Sequence, residues 1–151
     1  MHSLVRLYIK TAIFYLATGL AIGGWLVVRR ELYSKFPSPY ETSAHTHALL
    51  VGFVMMMILG VALWLFPRPD KSDGRYSPGV ARVAYWLLAI GTGARVIGEL
   101  ARATVVDQWL RWVVVIASMA QILGILLFVH TMWGRIRPLG SQVREARGER
   151  F

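Results

Sequence analysis

The chain has 151 residues, the length of one domain, but it is 56% hydrophobic with a mean hydropathy of +0.49, too apolar for an ordinary soluble domain. It contains no cysteine, which excludes disulfides, iron–sulfur clusters and covalently attached c-type haem. The cations behind the formal net charge of +9 flank the apolar blocks, a pattern of membrane topology and attraction to anionic lipid rather than of nucleic-acid binding.

Four apolar blocks, over about 8–28, 44–66, 80–100 and 112–133, are each long enough for the ~30 Å hydrocarbon core of a bilayer. They predict an all-α integral membrane protein, a four-transmembrane-helix bundle, in a single domain over 1–151 with a basic tail over 134–151. Arg6, Lys10, Arg68, Lys71, Arg75, Arg82, Arg135, Arg137, Arg144, Arg147 and Arg150 fall on one side of such a chain. Arg29, Arg30, Lys35, Arg102 and Arg111 fall on the other. The positive-inside rule then places both termini in the cytoplasm of a cell bounded by an inner membrane.

The first block is too long for a signal-peptide core and lacks a plain cleavage site, so it stays as an anchor. Its Gly19-x-x-x-Gly23 reads as a helix-packing face, and Trp25 as an interfacial belt residue. The segment Phe36-Pro37-Ser38-Pro39 cannot continue a helix and predicts an extended bend. Thr42 or Ser43 then caps the second helix, with His45 and His47 in its first turns. Phe66-Pro67-Arg68-Pro69 ends it, and the polar run Asp70–Gly79 reads as a turn.

An ionisable side chain within a membrane span is a functional candidate by default. At 3.6 residues per turn, His45 and His47 stand about 200° apart, so one helix can serve two centres, one on each flank. Met55, Met56 and Met57 cannot all face one site and read first as adaptable packing, with iron ligation as the second reading. Arg95 and Glu99 share a face of the third helix at i, i+4, with Arg102 just beyond. Two accounts stand for them: an ion pair reaching for the outer interface, or an anion clamp for carboxylates at the level of the histidines. On the fourth helix, Gln121 sits near the middle. His130 sits near the inner end, either as an interfacial residue or in a second cofactor-binding or proton-transfer role.

His45-Thr46-His47, followed by Gly52-Phe53, Gly60 and Pro67, resembles the tenth transmembrane helix of haem-copper oxidase subunit I. The C-family (cbb-type) form has His-Val-His, a Gly-Trp-Val step, a later Gly and a terminal Pro at matching offsets. The resemblance covers about one helix in four. It implies that His45 ligates a high-spin haem and His47 a low-spin haem. In that family arginines just after the following helix contact haem propionates, which implies that role here for Arg95, within the third helix, and Arg102, at its end. Four helices would be one arc of the twelve-helix, pseudo-threefold subunit I fold, so a homotrimer would rebuild the ring and supply further imidazoles. The chain has only His2, His45, His47 and His130, with no His-His pair for a copper site.

Haem b is the cofactor that suits these residues, since it needs imidazoles, an apolar slot and cations but no cysteine. The expectation is a haem b-binding membrane protein acting in electron transfer or in binding O2 or NO, without copper. If it is an enzyme, it is an oxidoreductase at haem, with a cytochrome or quinol as electron donor. The alternative is an accessory membrane subunit with no cofactor. Its other partner is the lipid bilayer.

Overall fold

The computed structural model describes residues 3–66, 77–136, 143 and 147–148. Four long helices account for nearly all of them: α1 (Ser3–Tyr33), α2 (Pro39–Leu65), α3 (Pro78–Arg102) and α4 (Gln108–Met132). A 3-10 turn, Trp133–Arg135, closes α4. All four helices are long and apolar enough to cross a membrane, and the chain is a multi-pass membrane protein with an all-α four-helix architecture. Several readings fall outside the described residues: Pro67 as helix stop, the loop with Arg68, Lys71 and Arg75, His2, and Arg137, Arg144 and Arg150 of the tail.

The second helix begins earlier than the sequence reading placed it. Ser38, not Thr42 or Ser43, is the N-cap, and Pro39 opens the helix. The backbone N–H of Glu41 donates to Ser38 Oγ at 3.3 Å, and Ser38 N–H donates to Glu41 Oε2 at 2.7 Å. This reciprocal box satisfies two of the amide donors that every helix start leaves open, and proline at the first helical position lacks the N–H that would go unused. The early start moves His45 to the second turn and His47 to the third, with His45 about 9 Å along the axis from Pro39 at the usual rise. At the end of α1, Ser34 takes a left-handed conformation (φ 52°) and Lys35 N–H reaches back to Arg29 O at 3.1 Å, a stop signal with no glycine in it.

Directly after the histidines, α2 widens into a π-helical stretch, Ala48–Met55, before returning to α geometry at Met56–Leu65. Such insertions shift the angular phase of everything that follows. The stretch lies against α1, where Gly52 faces the Tyr15 ring so closely that no Cβ would fit. The Tyr15 hydroxyl then donates to Ala89 O of α3 at 2.6 Å, tying three helices together.

Packing follows chain order: α1 on α2, α2 on α3, and α3 on α4 over the most extensive interface. Helices α1 and α4 approach through Tyr8, whose ring meets Phe128 and Tyr85 edge-on at 5.8 and 5.1 Å. Met56 is fully buried in this aromatic core, with Met55 and Met57 packed against it, which is the packing role read from the sequence. At the same end, buried Arg135 donates to the carbonyls of Leu63 and Phe66 at 3.1 and 2.9 Å, satisfying acceptors left open as α2 stops. The outward surface carries Ile13, Phe14, Leu20, Ile90, Ile97 and Ile116, all more than half exposed. In water this surface would be a liability; in a bilayer it is the lipid face.

Candidate functional site

The two histidines occupy opposite flanks of α2, as their spacing predicts. His45 faces α1, where its Nδ1 lies 2.9 Å from the carbonyl of Gly19. A carbonyl only accepts, so Nδ1 carries the proton and Nε2 holds a lone pair. Gly23 makes room for the ring: a Cβ there would stand 2.5 Å from His45 Cε1. Gly19 and Gly23 therefore form a packing face, as read from the sequence, and that face holds an imidazole.

His47 faces α3. Its Nδ1 lies 2.9 Å from Ser43 O, one turn back, which sets the same tautomer and leaves Nε2 as the unprotonated nitrogen. Among the described residues, neither Nε2 has a hydrogen-bond partner. Both rings are half-buried. Imidazole in this state, with Nδ1–H fixed by a carbonyl and Nε2 free, is the form that ligates metals.

Beyond His47 a polar network crosses the bundle. Glu99, 3% exposed, lies with Oε2 3.8 Å from His47 Nδ1. Its other oxygen, Oε1, accepts from Ser43 Oγ at 2.8 Å and from Arg95 Nε at 3.0 Å. Arg95 NH1 continues to Gln121 Oε1 of α4 at 3.4 Å, and Gln121 Nε2 donates to Thr92 Oγ1 at 3.0 Å. The Arg95–Glu99 ion pair inferred from i, i+4 spacing is therefore present, directed inward rather than toward the interface. Ser43, Gln121 and Thr92 complete it, and sequence reasoning gave none of the three a part. Ser43 carried a signal, being one turn before His47, but its reach to α3 depends on how α2 and α3 are rotated.

Arg102 lies at the end of α3 against α2. It donates from NH2 to the Tyr40 hydroxyl at 2.7 Å and stacks over that ring at 4.3 Å. One turn before His45, Glu41 pairs with Arg29 of α1. Above them opens a hollow of about 660 Å³ lined by Trp25, Arg29, Tyr33, Lys35, Phe36 and Glu41 among others; neither histidine lines it. His130 is exposed near the end of α4 that also carries Arg135, a bundle length from His45. Among the described residues, no three His, Cys, Asp or Glu side chains converge on a metal-sized site.

No protein-family model, curated protein or solved structure matches this chain.

Proposed function

We propose that the chain is a haem b-binding membrane protein, related to haem-copper oxidase subunit I, which transfers electrons or binds a diatomic gas. The observation that carries this reading is the shared state of His45 and His47. Each donates Nδ1–H to a backbone carbonyl and, among the described residues, has no hydrogen-bond partner at Nε2, on opposite flanks of one membrane helix. Single imidazoles aimed from two flanks would suit haem iron, which takes few protein ligands, better than a bare cation, which asks for converging ligands. Haem, if bound there, would supply one-electron transfer or binding of a diatomic gas such as O2, NO or CO.

The remaining roles belong to the chain's own side chains. Gly19 O and Ser43 O preset the two rings, before any ligand binds, in the tautomer that would ligate. Arg102, held by the single hydroxyl and ring of Tyr40, is available to a propionate carboxylate, while Arg95 serves the same level from within its pair with Glu99. One copy offers one imidazole on each flank, so a bis-histidine site draws its second ligand from another copy, and a trimer of four-helix units is the assembly we favour. With His45 and His47 engaged, too few imidazoles remain to converge on copper, so oxygen reduction of the copper-dependent kind is outside this reading. The distribution of cations supports an inner-membrane location with both termini in the cytoplasm.

A second reading, an accessory subunit without cofactor, is favoured by one observation. The Ser43–Glu99–Arg95–Gln121–Thr92 network links α2, α3 and α4 through the chain's own side chains and would serve purely to fix helix packing. Absorption spectroscopy of the purified protein separates the two. A Soret band that sharpens on reduction with dithionite is the expected result, and a colourless preparation overturns haem binding. Metal analysis should return iron without stoichiometric copper, and oxygen uptake by the chain alone should show no cyanide-sensitive component.

A further inference from the structure

One atom in the network has no partner among the described residues: Glu99 Oε2 is buried and makes no hydrogen bond. An orphaned buried acceptor costs about 1–3 kcal/mol, more when charged, so its retention calls for a reason. Its carboxylate is not loosely placed. Ser43 Oγ and Arg95 Nε both bind Oε1, from two different helices, and so leave Oε2 aimed at His47 Nδ1, 3.8 Å away. The distance is just too long for a hydrogen bond and short enough that a small rotation of the imidazole would make one.

We propose that Glu99 is the positioning residue of His47: on ligation, the Nδ1–H of His47 leaves the Ser43 carbonyl and donates to Glu99 Oε2. No covalent bond forms or breaks; one hydrogen bond replaces another. The exchange satisfies the orphaned oxygen and fixes the ring plane. A carboxylate acceptor also makes the opposite nitrogen a stronger donor than a carbonyl does, as it does for metal-bound histidines generally. Stronger donation stabilises the oxidised metal. The role is specific to this flank, because His45 has a carbonyl of α1 at Nδ1. This inference rests on haem ligation by His47.

The test uses the full chain purified with its haem, comparing wild type, Glu99→Gln and Ser43→Ala by redox titration and by electron paramagnetic resonance of the oxidised state. Glu99→Gln should retain haem, raise the midpoint potential and change the g-value spread of the low-spin signal. Ser43→Ala, which leaves Glu99 held by Arg95 alone, should move both readouts in the same direction by less. Unchanged potential and spectrum in Glu99→Gln at full haem content overturns the positioning role and leaves haem binding standing. Wild type lacking haem overturns both. If Glu99→Gln does not accumulate, Ser43→Ala decides: an unshifted potential and spectrum there also overturns the proposal.

Discussion

His45 and Gly23 share one space: the imidazole of α2 lies where a side chain at residue 23 of α1 would begin. A methyl group there must displace the ring or part the helices. Gly23→Ala should therefore lower thermal stability in detergent by about 1–3 kcal/mol, the usual range for overpacking, and should reduce bound haem. At the neighbouring Gly24, a Cβ would meet nothing within 4 Å, so Gly24→Ala is the matched control and should leave both unchanged. Differential scanning fluorimetry with haem quantitation checks the pair.

The histidines themselves give a direct test. His45→Ala and His47→Ala should each insert and fold, since neither ring belongs to the buried core, yet each should lose or alter haem. By the oxidase resemblance, low-spin bands should weaken more in His47→Ala than in His45→Ala. Pyridine haemochrome content and reduced-minus-oxidised spectra report the outcome, and wild-type values in both variants would sink the ligand assignment.

Arg95→Leu removes the cation from a carboxylate that is 4% exposed at its side chain. Breaking one side of a buried ion pair leaves the other charge uncompensated, so the variant should be destabilised by about 3 kcal/mol. Arg95→Leu combined with Glu99→Leu should recover most of that loss, because replacing both partners with apolar groups is close to neutral. A double-mutant cycle of unfolding in detergent checks this.

Topology is open to a clean labelling experiment because the chain has no cysteine of its own. Ser3, Lys35 and Arg147 are exposed, and single cysteines can be placed there. In intact cells a membrane-impermeant thiol reagent should reach Lys35→Cys from the periplasmic side and should not reach Ser3→Cys or Arg147→Cys. Labelling of either terminal position would reverse the assigned orientation.

What was legible in the sequence was what depends on local chain properties. Four spans follow from hydropathy summed over windows about as long as a bilayer is thick, and the structure has four such helices. The separation of His45 and His47 onto two flanks follows from helical pitch alone, and the Arg95–Glu99 pair follows from i, i+4 spacing. The start of α2 was also encoded locally, in Ser38-Pro39-Tyr40-Glu41, but two prolines read as a break concealed a capping box. Other features belong to tertiary structure. The π-helical turn at Ala48–Met55 has no marker residue and lies where α2 packs on α1. Which backbone carbonyl on α1 accepts the hydrogen bond of His45 Nδ1–H, and that Ser43, Gln121 and Thr92 join Arg95 and Glu99, depend on how whole helices are rotated and how closely they approach. Hydropathy says only that a helix enters the membrane. Its rotation about its own axis is set by packing of small residues against large ones on its neighbours, and that rotation decides which side chains meet.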